Sequence, residues 1–243
     1  MIDRRTLFAL GALLPFAGPA AAQQVAREET WDEKWQRELR EDWPGLRHYA
    51  ATNEHLVSHG VPTNIVFLGD SITEGWVGKR PGFFKEGRAG RGIGGQTTPQ
   101  MVLRMMQDVI QLKPKYLHFM GGTNDIAGNT GPMTVPQTLD NIRLVADIAR
   151  ANGIKLLLAC VPPADHFPWR PGLEVVKPIR EINAWSAANA TALGATWVDY
   201  TPVLADASGA MKPGMASDGV HPTEQGYIAM EGVIEPLLKA RGV

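Results

Sequence analysis

With 243 residues, 44% hydrophobic and 20% charged, the chain has the composition of an ordinary globular protein, which excludes a disordered or collagen-like chain and suits one domain with a sizeable core. A formal net charge of -1 provides no basic field for collecting phosphates, so nucleic acid is not expected as a partner. The single Cys160 cannot close an internal disulfide, and its place in the apolar run 154–161 marks a buried, inert thiol.

The chain opens on an address. Arg4 and Arg5 precede an apolar stretch, 7–17, and Ala20-Ala21-Ala22 offers small residues for cleavage, so residues 1–22 read as an export signal with the mature protein starting near Gln23. The order Arg4-Arg5-Thr6-Leu7-Phe8 matches a twin-arginine signal, with a Sec signal as the alternative. Pro15, Gly18 and Pro19 interrupt the segment before the roughly 20 apolar residues that a membrane span needs. A periplasmic or secreted protein without a stable membrane anchor after cleavage is therefore expected.

Residues 23–60 form a helical segment expected to pack on the domain. Trp31, Trp35, Leu39 and Trp43 line one helical face, Thr30 and Glu33 match a capping box, and Pro44 ends or bends the helix. The tryptophan stripe reads as packing, the alternative being a sugar-stacking platform. Residues 61–243 then alternate. Apolar runs at 65–68, 116–120 and 155–161 and short strands at 89–93 and 196–200 are separated by helical patterns at 99–112, 136–151 and 176–193, with a closing helix at 223–239. Pro99 and Pro136 suit first helical turns, whereas Gly153 and Gly194 suit helix ends. Strands that alternate with helices predict a three-layer α/β/α fold around a parallel sheet. The one long irregular stretch, 161–173, is rich in proline and aromatics, as binding loops often are.

In such a sheet ligands sit beyond the carboxyl ends of the strands. Four polar, glycine-rich segments fall there: Gly69-Asp70-Ser71-Ile72-Thr73-Glu74-Gly75, Gly92-Ile93-Gly94-Gly95-Gln96-Thr97, Gly121-Gly122-Thr123-Asn124-Asp125, and Asp218-Gly219-Val220-His221-Pro222. A serine needs a base to take its proton, and the base works best when a carboxylate orients it. Asp218 and His221 can be presented together by one turn, and Ser71 arrives from the first strand. A backbone N–H at Gly95 and the Asn124 amide can join the N–H of Ser71 as donors to a developing oxyanion. Each motif alone is weak, since Asp-x-x-His also fits a plain turn or half a metal site. Asp70 and Asp125 admit a paired-acid scheme, while His48, His55, His59, His118 and His166 read as structural.

Taken together and in this order, the four segments resemble the conserved blocks of the SGNH/GDSL hydrolase superfamily, and the resemblance covers nearly the whole mature chain. It implies a flavodoxin-like fold with five parallel strands. It also implies that Ser71 is nucleophile and first oxyanion donor, Gly95 and Asn124 are the other donors, His221 is the base, Asp218 orients it, and Asp70 and Asp125 are supports. One departure is Gly90, where the family often carries an asparagine; this puts in question the hydrogen bonding behind Gly95.

Within the superfamily the stretch Val161-Pro162-Pro163-Ala164 followed by Phe167-Pro168-Trp169-Arg170-Pro171-Gly172 is similar to bacterial acylhydrolases related to the platelet-activating-factor acetylhydrolase catalytic subunits, which favour short acyl groups. Trp76, Trp169 and Arg170 are expected to border the substrate, and a short acyl ester, on carbohydrate or another small molecule, is the expected substrate. Trp169 also admits a purely structural reading. Lysophospholipase or thioesterase action is the alternative within the family. A decayed carbohydrate-binding module is the alternative outside it, and intact Ser71, Asn124, Asp218 and His221 count against that. No cofactor is implied, and the sequence shows no third ligand beside Asp218 and His221 for a metal-dependent route.

Overall fold

A computed structural model describes residues 28–243. The expected export signal lies outside the described residues. Five strands, β1 (Ile65–Gly69), β2 (Arg88–Gly92), β3 (Tyr116–Met120), β4 (Lys155–Ala159) and β5 (Ala195–Val198), pair in parallel in the order β2-β1-β3-β4-β5. Every residue of β1 and β3 is buried, which is why both read as largely apolar runs rather than alternating ones, with His118 the polar exception in β3.

Ten α-helices accompany the sheet among the described residues: α1 (Trp31–Glu41), α2 (Ala50–Ser58), α3 (Ser71–Lys79), α4 (Thr98–Leu103), α5 (Met105–Asp108), α6 (Thr123–Ala127), α7 (Val135–Ala151), α8 (Val176–Asn189), α9 (Thr201–Leu204) and α10 (Glu224–Lys239). On one side α4 contacts α7 and α7 contacts α8, while α10 packs with α3 and α9. Phe67, Leu117 and Phe119 of the sheet share one core with Ile142 and Val145 of α7, Ile182 of α8, and Met230, Ile234 and Leu238 of α10.

Local chemistry sets the helix starts. Thr30 and Glu33 close a reciprocal capping box on α1, and Thr134 and Gln137 do the same for α7, with Pro136 in its first turn. The helix expected over 99–112 is instead broken into α4, α5 and a 3-10 turn, Ile110–Leu112. The break falls at Arg104, which leaves helical geometry at φ -93, ψ 2 and whose guanidinium is wholly buried. That group donates to Gly69 O at 2.8 Å, Gln96 Oε1 at 2.6 Å and Asp108 Oδ2 at 2.9 Å. Satisfying a buried charge outweighs one continuous helical ladder.

The edge strand β2, Arg-Ala-Gly-Arg-Gly, breaks the apolar rule. Gly90 explains the departure from the family pattern, because a methyl group built there would meet Val77 Cγ2 at 2.1 Å and the Phe84 ring at 3.4 Å. Residues from α3 and the turn after it occupy the space an asparagine would need. Arg91 turns into the protein, where Asn53 of α2 accepts from it at 2.9 and 2.7 Å and in turn donates to Asp108 at 2.6 Å.

Candidate active site

Ser71 is the first residue of α3, directly beyond β1. Asp70 caps the helix by accepting from the Ile72 N–H at 2.9 Å, so the turn that carries Ser71 is held by its own neighbour. Burial pushes the Asp70 carboxyl up to about 6, against the backbone hydrogen bond from Ile72 and the nearby His221, which lower it. At the helix N-terminus the partial positive end of the α3 dipole faces Ser71.

His221 arrives from a sequence separation of 150 residues, with Nε2 at 2.9 Å from Ser71 Oγ. Its Nδ1 lies 2.7 Å from Asp218 Oδ2. The other carboxylate oxygen, Oδ1, accepts from the backbone N–H of Val220 at 3.0 Å and of His221 at 2.8 Å, so one side chain both shapes the turn and orients the imidazole. Partial burial pushes the Asp218 carboxyl up, but the hydrogen bonds from the His221 backbone and ring and from Val220 outweigh it and hold it below its ordinary value. An ionised Asp218 fixes the proton of His221 on Nδ1 and leaves Nε2 free to accept from Ser71. Gly219 is required in this turn: its φ is +86, and an added methyl would meet His166 Cε1 at 2.8 Å.

The second segment runs alongside Ser71, since a methyl group built on Gly94 would lie 3.9 Å from Ser71 Cβ. Gly95 follows with φ +75, under the indole edge of Trp35 from α1, which a methyl group there would meet at 2.9 Å. Asn124 in α6 is nearly buried and donates one amide hydrogen to Gln96 O at 3.0 Å, which leaves its second hydrogen for another acceptor. The structure thus joins the Gly95 loop to Asn124 and sets both at the rim that holds Ser71.

Asp70 and Asp125 are each only 1% exposed and bonded inward. Asp125 accepts from the Thr98 N–H at 2.9 Å, from the Thr98 hydroxyl and from Thr138, and burial raises its carboxyl above the usual range. Neither carboxylate flanks an open cleft as a paired-acid scheme requires. Among the described residues, no three His, Cys, Asp or Glu side chains are arranged to hold a metal ion.

Of the three expected substrate-border residues, the structure separates one from the others. Trp169 is 37% exposed, with its ring centre 5.9 Å from that of His221, its face stacked on Phe167, and its Nε1 donating to Asn129 Oδ1 at 3.3 Å. Arg170 beside it donates to Gly128 O at 3.2 Å. These two, with Ile126, Met133 and Leu173, line an open groove of about 860 Å³. Trp76 does not border the site. It is wholly buried, stacked between Phe83 and Tyr227, with Nε1 donating to Glu231 at 3.1 Å. It lies roughly a turn and a half beyond Ser71, which carries its side chain to the core face of α3.

Sequence reasoning missed Asn129, Trp35 as a neighbour of Gly95, and the Arg104–Gln96 contact behind the second segment. Asn129 carried a weak signal, an asparagine between glycines in the loop after α6; the other two depend on contacts between distant parts of the chain.

The profile of the GDSL-like Lipase/Acylhydrolase family matches residues 67–229, which span the strands, the serine turn and the Asp218–His221 turn described above. The chain belongs to this family. It is therefore an ester-hydrolysing enzyme with the family's α/β architecture. A solved GDSL-like lipase from Bacteroides thetaiotaomicron is 39% identical, with a TM-score of 0.77, over 82% of this chain and 100% of its own. A solved structure from Bacteroides fragilis, assigned as an acylhydrolase, is 38% identical with a TM-score of 0.77 over 83% and 99%. An acetyl xylan esterase shares the fold alone, at 20% identity and a TM-score of 0.55, over 73% of this chain and 98% of its own. Among curated proteins, the uncharacterized lipoprotein YqeF of Bacillus subtilis is 44% identical over 75 residues, 29% of this chain and 31% of that protein.

Proposed function

We propose that this chain is an exported serine esterase that removes short acyl groups of the acetyl type from carbohydrate esters, with Ser71 as its nucleophile. The observation that carries the reading is the unbroken hydrogen-bond chain from Ser71 Oγ to His221 Nε2 at 2.9 Å and from His221 Nδ1 to Asp218 Oδ2 at 2.7 Å.

In this mechanism Ser71 Oγ attacks the ester carbonyl carbon as its proton passes to His221 Nε2. The carbonyl oxygen becomes an oxyanion and takes hydrogen bonds from the Ser71 N–H, the Gly95 N–H and the free Asn124 amide hydrogen. Asp218 stabilises the imidazolium so formed. When the tetrahedral carbon collapses, the C–O bond to the alcohol breaks and His221 returns its proton to the leaving oxygen. Water, deprotonated by His221, then attacks the acyl-enzyme and releases the acid and Ser71.

The partly exposed indole of Trp169 beside His221 suits contact with a sugar as leaving group, and Arg170 adds a hydrogen-bond donor next to it. The acetyl xylan esterase of the same fold acts on an acetylated carbohydrate by its name, which supports the scaffold's suitability. A second reading, lysophospholipid or thioester hydrolysis, is favoured by one observation: Ile126, Met133 and Leu173 give the groove beside Trp169 an apolar wall that suits a longer chain. Export through residues 1–22, with 23–60 packed on a catalytic domain of 61–243, is part of the proposal, and the lipoprotein nature of the Bacillus subtilis relative supports it.

The test is hydrolysis of p-nitrophenyl esters from acetate to palmitate, beside Ser71→Ala. Turnover of acetate and butyrate with loss of about 10⁴-fold or more in the variant is the expected result, by analogy with nucleophile removal in other serine hydrolases. Turnover that survives in Ser71→Ala would refute the nucleophile, and a maximum at long chains would favour the second reading.

A further inference from the structure

We infer that Asn129 is a positioning residue that locks two of the three proposed oxyanion donors, Gly95 and Asn124, in place and ties them to the loop carrying Trp169. The inference rests on the proposed roles of Gly95 and Asn124. Asn129 lies just beyond α6, where its own N–H donates to Asn124 O at 3.1 Å. Its side-chain amide makes three further contacts. Nδ2 lies 2.9 Å from Asn124 Oδ1 and 3.2 Å from Gly95 O, and Oδ1 accepts from Trp169 Nε1 at 3.3 Å.

The amide has one allowed orientation. An indole N–H can only donate, so Oδ1 must face Trp169, and the two oxygens of Asn124 and Gly95 can only accept, so Nδ2 must face them. A flipped amide would set oxygen against two oxygens and nitrogen against a donor. Asn129 thereby spends both amide hydrogens on the segments that supply two of the proposed donors, Gly95 and Asn124.

Each contact removes a freedom that would blunt the site. Gly95 has no side chain to restrain it and sits at φ +75, so the bond to its carbonyl limits rotation of the peptide planes around it. Asn124 is gripped at Oδ1 by Asn129 and through Nδ2 by Gln96 O, which leaves its second amide hydrogen with one direction. Accepting at Oδ1 also polarises the Asn124 amide and strengthens its N–H as a donor. Oxyanion stabilisation depends on donors aimed before charge develops, which is what this three-way grip achieves. Because Trp169 stands beside His221 and is tied to the same amide, the wall of the leaving-group region and the donors move as one unit.

Asn129→Asp is the sharpest variant. It keeps size and the acceptor for Trp169 but turns both donor contacts into oxygen facing oxygen. With p-nitrophenyl acetate, kcat should fall about 10- to 100-fold, less than or comparable to removal of a whole donor, with KM changed less than about threefold. The affinity of phenylboronic acid, whose tetrahedral serine adduct places an oxygen where the oxyanion forms, should fall in parallel with kcat/KM. Melting temperature is followed throughout, and Trp169→Phe, which keeps the ring and loses only the N–H, serves as the milder variant with a smaller loss of kcat in the same pattern.

Wild-type kcat in a folded Asn129→Asp, or a loss confined to KM with boronate affinity kept, would overturn the inference. If Asn129→Asp fails to fold, unchanged kcat and boronate affinity in Trp169→Phe would overturn it instead. Ser71→Ala separates this from the underlying reading. Turnover surviving there refutes the nucleophile, whereas turnover lost there but intact in Asn129→Asp refutes the positioning role alone.

Discussion

His118 lies on β3, wholly buried, with Nε2 3.0 Å from the Tyr200 hydroxyl and its ring beside Phe67. Burial pushes its imidazole down from 6.5 to about 3. Because the folded value lies below the unfolded one, the unfolded chain binds more protons between those limits, and stability is lost as pH falls from about 6.5 toward 3. Asp70 acts in the opposite sense. Its raised carboxyl gives stability that is fully present below 3.8 and lost as pH rises through about 6, so it offsets part of the histidine effect. His118→Gln isolates the histidine, since the Asp70 contribution is common to both proteins. Between pH 7 and 4 the wild type should lose roughly 3 kcal/mol more than the variant, read from urea midpoints at the two pH values. Parallel pH profiles would show that His118 carries none of the acid sensitivity. Gly90 makes a second case at this scale: Gly90→Asn should cost about 1–3 kcal/mol through overpacking against Val77 and Phe84, checked by the melting temperature. A gain in stability there would mean that α3 can yield. His118 could be named as structural from the sequence. The reason for Gly90 could not, because Val77 and Phe84 meet it only when β2 is laid against the chain that follows β1.

Among the elements, α1 was legible because a capping box is written within four residues of chain, and α7 because Pro136 marks a first helical turn ahead of a long helical pattern. The break between α4 and α5 was not, since its cause, Arg104, answers to Gly69 at a separation of 35 residues. That arginine joins the end of β1, which leads into Asp70 and Ser71, to Gln96, which follows Gly95. Arg104→Met should therefore leave Asp108 with a buried charge and Gly69 O without its side-chain donor, and cost about 3–5 kcal/mol, as removal of one partner from buried pairs does elsewhere. Equilibrium urea unfolding measures this, and a loss below about 1 kcal/mol would show that water or a neighbour replaces the guanidinium. Helix α1 contributes to the same region from the other side, because Trp35 covers Gly95. The tryptophan stripe was readable as an amphipathic face. That one of its rings would lie over a proposed oxyanion donor was not.

At the scale of the whole molecule, the parallel order β2-β1-β3-β4-β5 explains why segments far apart in sequence meet at one rim. Each strand ends at the same edge of the sheet, so the residue after each strand is delivered to the same place. Alternation of apolar runs with helical patterns was enough to determine the α/β class, because both periodicities come from backbone geometry that is local to each element. The sequence by itself also determined that Asp218 and His221 share a turn, three positions apart, and that Asp70 precedes a serine at the end of a strand. Tertiary structure decided what those local signals leave open. It decided that Trp76 faces the core while Trp169 faces His221, because the direction of a side chain depends on what packs over its element. It also decided that Asn129 grips Gly95, Asn124 and Trp169 together, because those partners become neighbours only when the loops beyond the strands are brought to one edge.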